Sequence, residues 1–161
     1  MTRLATRFLH LFALVAVVSA AALPARAGGL AVSDAWIALA PPNMRAHAGY
    51  FTLTNAGETA VLVTGVAAEG YVRAMLHESR MSDGVMSMVH LDAIEVAPGA
   101  SVAFRPGGLH LMLMGPGGPQ TEGASVPITL TLGDGTTLSV EAEIRRRGGG
   151  HGGHATHGHD G

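Results

Sequence analysis

The sequence turns at Pro106-Gly107-Gly108 and then continues as Leu109-His110-Leu111-Met112-Leu113-Met114. Successive side chains of a β-strand point to opposite faces, so a strand here places His110, Met112 and Met114 on one face. The three leucines then occupy the other face. We therefore predict a strand with one apolar face for a core and one face that offers an imidazole and two thioethers.

Similar short runs, separated by turn signals, continue on both sides of this strand. Gly133-Asp134-Gly135 is typical of a hairpin turn, and Ser82-Asp83-Gly84 marks another turn. No window has the pattern of an amphipathic helix, so many short strands predict an all-β sandwich or barrel. Trp36, the only tryptophan, is predicted to anchor its core. The predicted strands cover residues 35–37, 50–54, 60–66, 72–78, 85–90, 101–104, 109–114, 128–132 and 137–144.

The composition excludes several classes of protein. The 161 residues include no cysteine, eight methionines and nine histidines. Disulfide frameworks, cysteine zinc ribbons, iron–sulfur clusters and blue-copper sites are therefore excluded. The net charge of −2 does not favour a nucleic-acid partner. The soft and imidazole ligands that remain are methionine and histidine.

The first 27 residues read as an export signal. Arg3 and Arg7 precede a mostly apolar run at residues 8–23, and Ala25-Arg26-Ala27 has the small–x–small pattern of a cleavage site. We expect cleavage after Ala27, export to the periplasm and a folded domain over residues 28–147. The run is shorter than the ~20 residues of a membrane span, and no cysteine is present to carry a lipid. No stable membrane anchor is expected, although an uncleaved signal is the alternative.

Residues 148–161 form a segment of different composition. Half of them are glycine, so we predict a disordered tail that does not repay its ordering entropy. Spaced imidazoles in a flexible chain suit transition metals, and we interpret the tail as a Cu(II) site. A solvated linker or an expression tag is the alternative. The tail histidines are His151, His154, His157 and His159.

Six of the eight methionines lie between residues 75 and 114, and three predicted strands each carry histidine and methionine on one face. Thioether sulfur is soft and neutral, so it favours Cu(I), whereas zinc prefers histidine, cysteine or carboxylate. Thioethers also cannot form disulfides in an oxidising compartment. Methionine is nevertheless a common core residue, and packing alone is the alternative. The three sets are Met75 with His77, Met86 and Met88 with His90, and His110 with Met112 and Met114.

The spacing of these residues resembles that of periplasmic copper chaperones of the PCuAC type. That family carries a histidine, ten residues, a methionine, twenty-one residues and then His-x-Met. Here His77, ten residues, Met88, twenty-one residues and His110-Leu111-Met112 match without a gap. Neighbouring words such as Asp34-Ala35-Trp36-Ile37 match as well, and the resemblance covers about residues 30–146.

The resemblance implies a cupredoxin-like Greek-key β-sandwich of one domain that binds one Cu(I) near its surface. The sequence has neither a Gly-x-Ser-x-Gly nor a His-Glu-x-x-His motif, so we expect a copper carrier and not an enzyme. Carried over by position, the copper ligands would be His77, Met88, His110 and Met112. The family passes copper towards the dinuclear copper centre of cytochrome c oxidase, so the implied partners are subunit II of that oxidase or a Sco-type protein. Some relatives carry a C-terminal extension that binds a second copper as Cu(II), as the tail here would.

Several alternatives stay open at this point. A periplasmic copper storage or detoxification protein would bind the metal equally well. A copper enzyme with a histidine brace needs an N-terminal histidine, whereas the predicted cleavage exposes Gly28. An adhesion-type sandwich with incidental histidine and methionine is a third possibility. Met86 could replace Met88 as a ligand, and the positions of Met44 and His47 relative to the site are not predicted.

Overall fold

The computed structural model describes residues 25–27 and 29–147, which form strands and turns without any helix. The all-β prediction is confirmed. The predicted signal segment up to residue 24 and the tail at residues 148–161 lie outside the described residues. The strands are β1 Ala25–Ala27, β2 Leu30–Ala38, β3 Ala46–Asn55, β4 Val61–Ala68, β5 Tyr71–Ser82, β6 Val85–Leu91, β7 Ile94–Val96, β8 Ser101–Ala103, β9 Leu109–Pro116, β10 Ser125–Leu132 and β11 Thr137–Arg145.

The strands form one hydrogen-bonded path in the order β6-β5-β9-β3-β2-β11-β10-β4-β7, while β1 pairs with β2 and β8 pairs with β3. All pairs are antiparallel except β2 with β11. Only Glu69 and Gly70 separate β4 from β5, although these strands lie near opposite ends of the path. The sheet therefore has to fold over on itself, which produces the two layers of a sandwich.

The core lies between these layers and is built from the inward-facing residues of alternate positions. Leu111 and Leu113 of β9 are fully buried, as the alternation predicts. The rings of Phe51 and Phe104 pack with their centroids 4.2 Å apart. The apolar face of β9 thus fixes the strand in the sandwich and leaves its other face for the site.

Trp36 does not lie in this core, so its predicted role was wrong. Asp34 has a positive φ of 52°, and the pairing of β2 with β3 shifts register between Ser33 and Trp36. This irregularity places Ala35 and Ile37 inside, while Trp36 is only half-buried on the outer face. Its ring packs against Tyr50 instead, with centroids 4.6 Å apart.

A two-residue loop joins β5 to β6. Asp83 and Gly84 both have positive φ, at 52° and 77°, which is the conformation of a type I′ hairpin turn. The predicted turn at this position is confirmed, but β5 continues to Ser82, beyond the predicted end at residue 78. The added residues pair with the first half of β6, so the hairpin extends past the rest of the sheet.

Candidate metal centre

Three adjacent strands place three imidazoles in one row. His77 of β5 is the direct partner of His90 on β6 and of His110 on β9. Directly paired residues share a face of the sheet, so all three rings lie on the outer face. The ring centroid of His77 lies 5.4 Å from that of His90 and 6.0 Å from that of His110.

Methionines occupy the rows on both sides of these imidazoles. Met75 is paired with Met112 on one side, and Met88 is paired with the small residue Ser79 on the other. The predicted face of each strand is therefore confirmed by the register. Because Ser79 is short, the Met88 side chain meets little obstruction in crossing β5 towards β9.

A cavity of about 480 Å³ opens on this face and gathers three of the four residues of the predicted set. Met88, His110 and Met112 line it from the sheet. Met44 lines it from the segment that joins β2 to β3, and Arg147 lies at its rim. No carboxylate lines this cavity, so none of its potential ligands is an anionic side chain.

His77 does not line the cavity but lies beside it, next to His110. Its Nδ1 is buried and has no hydrogen-bond partner. Burial lowers the pKa of His77, and the neighbouring His110 and His90 lower this pKa further when they carry charge. His77 is therefore held in the neutral form that a metal requires. A buried nitrogen without a partner is the kind of group that a metal ion would satisfy.

The local chain fixes the orientation of His110. Its Nδ1 lies 3.0 Å from the carbonyl oxygen of Gly108, two residues earlier. A carbonyl can only accept, so Nδ1 carries the hydrogen and Nε2 keeps a free lone pair. A hydrogen bond of this kind is typical of histidines that bind metal through the other nitrogen. His110 is also 7% exposed, so its orientation is further restricted by packing.

His90 stands at the exposed end of the row. Its side chain is 53% exposed, and its Nε2 lies 3.5 Å from Oδ1 of Asp92. Within the part of the chain that the structure describes, no three histidine, aspartate or glutamate side chains converge to hold a metal ion. A metal bound here therefore has to use thioether ligands as well as imidazoles.

The structure distinguishes the three residues that the sequence left open. His47 of β3 is paired with Leu113 and not with Met112, but it still reaches the lining of the cavity. Its Nδ1 lies 2.8 Å from the Tyr71 hydroxyl, with which it forms a hydrogen bond. Met44 is 51% exposed and lies across the cavity from the sheet. Met86 does not line this cavity, so Met88 is better placed than Met86 for the motif position.

The sequence did not reveal the contribution of Met44, Ser79 and Arg147. Met44 and Arg147 lie outside the strands of the histidine and methionine row, and only the fold brings them to it. Ser79 offers no strong ligand, but its short side chain leaves room for Met88, which is paired with it. A methionine next to the Pro41-Pro42 turn was the one available signal.

The family described as "Putative lipoprotein LpqE-like" matches residues 30–144 of the chain. A protein of Leifsonia xyli subsp. xyli, described as "Putative lipoprotein Lxx21020", is 30% identical over 121 residues. The match covers 74% of this chain and 72% of that protein. The described residues contain no helix that is long and apolar enough to cross a membrane.

Solved structures agree with this match. The copper-bound PCuAC domain from PmoF2 is similar with a TM-score of 0.66 at 17% identity, over 78% of this chain and 99% of that one. Copper(I)-bound DR1885 from Deinococcus radiodurans is 34% identical with a TM-score of 0.56, over 81% of this chain and 84% of that one. The first similarity concerns the fold alone, whereas the second extends to sequence.

Proposed function

The chain belongs to the LpqE-like family and has the fold of PCuAC copper-chaperone domains, and from this premise we propose that it is a copper chaperone that carries Cu(I). The proposed ligands are His77, Met88, His110 and Met112. We further propose that it works in the periplasm, after cleavage of the signal segment. There it passes copper towards the dinuclear centre of cytochrome c oxidase, directly to subunit II or through a Sco-type protein.

One observation carries the proposal: Met88, His110 and Met112 line a common cavity, and the neutral His77 lies beside it in the row. Two imidazoles and two thioethers form a neutral, partly soft set, which favours Cu(I) over zinc and over hard cations. The similarity to a Cu(I)-bound relative at 34% identity supports the same metal.

The chemistry of the set also suits release. Neither thioether carries a charge, so a thiolate of an acceptor binds Cu(I) more strongly than either sulfur here. Met88 is 63% exposed, so an approaching thiolate reaches the copper from the side of Met88. Transfer is then a stepwise exchange of ligands, in which copper stays Cu(I) and the protein acts as a carrier.

The tail is proposed to capture Cu(II) close to this cavity. Arg147, the last described residue, lines the cavity and reaches the hydroxyl of Tyr50 at 3.3 Å. The tail therefore starts at the rim of the site. A 14-residue chain that is disordered, as the composition of the tail predicts, would span roughly 20 Å, which is enough to reach Met88 and His110. Deletion of residues 148–161 should lower the number of Cu(II) ions bound, and an unchanged number contradicts this role.

Competition titration with a Cu(I) chelator tests the main proposal. His110→Gln and Met112→Leu should each weaken Cu(I) binding by tenfold or more. Met114→Leu is the matched control, because Met114 lies on the same strand and face but does not line the cavity. Binding that weakens equally in the control, or in none of the variants, contradicts the proposed ligands.

Storage of copper is the alternative function, and the geometry favours carriage. No carboxylate lines the cavity and Met88 is 63% exposed, which suits an ion that is passed on to an acceptor. The two functions are separated by loading the protein with Cu(I) and adding a thiolate acceptor domain. A carrier empties into the acceptor within minutes, and a storage protein keeps its metal.

A further inference from the structure

The outer half of the β5–β6 hairpin exposes three methionines. Met81, Met86 and Met88 have exposed fractions of 65%, 59% and 63%. Single exposed apolar side chains are common on protein surfaces, but a group on one hairpin requires an explanation. Only Met88 lines the copper cavity, so the proposed function leaves Met81 and Met86 without a role.

The register of the hairpin brings these three side chains together. Met81 is the direct partner of Met86, and Met88 follows two residues later on the same face of β6. In a hairpin with a two-residue loop the residues that flank the loop form a hydrogen-bonded pair, so Met81 and Met86 form the next, closer kind of pair. Their Cβ atoms are then about 5 Å apart, and the diagonal neighbour Met88 is about 7–8 Å away. Three flexible methionine side chains can bring their sulfur atoms together across these distances.

The charged residues in the paired part of the two hairpin strands lie on the other face. Glu78 and Arg80 alternate with the methionine positions, and they bind each other with an Nη2–Oε2 distance of 2.6 Å. The paired residues of the methionine face therefore offer thioethers and the hydroxyl of Ser79. The carboxylate of the loop residue Asp83 is engaged with the hydroxyl of Ser82, which alternates with Met81, at 3.3 Å. Thioethers without an anionic partner discriminate against Zn²⁺ and Ca²⁺ and bind Cu(I) or its analogue Ag(I).

We propose that Met81, Met86 and Met88 form a second, weaker Cu(I) site on the hairpin, through which Cu(I) enters and leaves the inner site. This inference rests on the proposed function, because it takes the inner site to be that of His77, Met88, His110 and Met112. Met88 belongs to both sites, so its side chain can keep hold of the metal while the other ligands are exchanged. The oxidation state does not change, and only metal–ligand bonds are broken and formed.

Ag(I) titration of the full chain, with the methionine methyl groups labelled with ¹³C, tests the proposal. The tail at residues 148–161 contains no methionine, so any metal it binds leaves these signals unchanged. The first equivalent should shift the methyl signals of Met88 and Met112. Further Ag(I) should shift those of Met81 and Met86. Signals of Met81 and Met86 that stay unchanged throughout the titration overturn the proposal.

The double variant Met81→Leu with Met86→Leu tests the transfer role. Leucine keeps the apolar character and approximate volume but removes the sulfur. Transfer of Cu(I) to a chelator should slow at least threefold, while the affinity of the inner site stays within twofold of the wild type. Met114→Leu is the matched control and should transfer at the wild-type rate. Wild-type transfer by the double variant overturns the proposal and leaves the hairpin as an apolar contact surface for a protein partner.

The two proposals fail in different ways. If Ag(I) shifts the signals of Met81 and Met86 but never those of Met112, the inner ligand set is wrong and the hairpin site stands. If Ag(I) shifts Met88 and Met112 alone, the inner set stands and the hairpin site is wrong. In His77→Ala the signals of Met81 and Met86 should still respond to Ag(I), and loss of that response with the fold intact also overturns the hairpin site.

Discussion

Replacement of His77 by leucine should stabilise the metal-free protein while it weakens copper binding. The buried Nδ1 of His77 has no hydrogen-bond partner, and such an atom costs about 1–3 kcal/mol. Because the residue as a whole is only half-buried, we take the lower part of this range, about 1 kcal/mol. For a domain of this size that gain raises the melting temperature by roughly 4 °C. With copper bound, the wild type should melt above the His77→Leu variant, since ligand at 1,000 times its Kd stabilises the wild type by about 4 kcal/mol.

Calorimetric melting of the full chain, with a Cu(I) chelator and then with excess Cu(I), measures both effects. His90→Leu is the matched control, because His90 lies in the same row, is 53% exposed and has Asp92 near its Nε2. Its metal-free melting temperature should change little, as is usual for surface substitutions. A metal-free His77→Leu protein that melts below the wild type refutes the reasoning, because the buried nitrogen would then be stabilising.

Three further predictions concern buried polar side chains. Burial lowers the pKa of His77 and of His47 below 6.5 in the folded protein. The unfolded chain therefore binds protons more readily, and the metal-free protein should lose stability as the pH falls below about 6.5. Urea unfolding at pH 7 and at pH 5 measures this loss. The fully buried Asn55 amide donates to the carbonyl oxygens of Thr59 and Val96 and accepts from the N–H of Gly57. Asn55→Ala removes these three bonds and should cost about 3 kcal/mol, a fall of roughly 10 °C in melting temperature. Burial raises the pKa of Tyr71 to about 12, so absorbance at alkaline pH should show a late phenol ionisation that Tyr71→Phe abolishes; a normal midpoint contradicts the burial argument.

The alternation in β9 shows what the sequence could predict. Leucine at every second position requires a core on one side, and Leu111 and Leu113 are fully buried. The face that carries His110 and Met112 follows from the same alternation, as do the faces of β5 and β6. Period and turn chemistry are local properties, so they can be read from consecutive residues.

The assembly of the site depends on properties that are not local. β9 pairs with β5 although 26 residues separate the end of β5 from the start of β9. This pairing places His77 opposite His110. No local pattern specifies which strands become neighbours or in which register. The prediction that Trp36 lies in the core was wrong for a related reason. The irregularity at Asp34 changes the face on which the following residues lie.

The short pairing of β1 with β2 places a limit on the timing of maturation. Ala25–Ala27 pair with Leu30, Ala31 and Val32, so the predicted cleavage position after Ala27 directly follows a paired strand of the folded chain. A protease binds its substrate as an accessible extended segment, and a backbone already paired in a sheet is not available for that. If the chain is cleaved after Ala27 as predicted, the cut has to precede the pairing of β1 with β2. Mutations that speed folding of the N-terminal strands should consequently slow processing of the precursor, even though they alter neither the cleavage position nor the copper ligands.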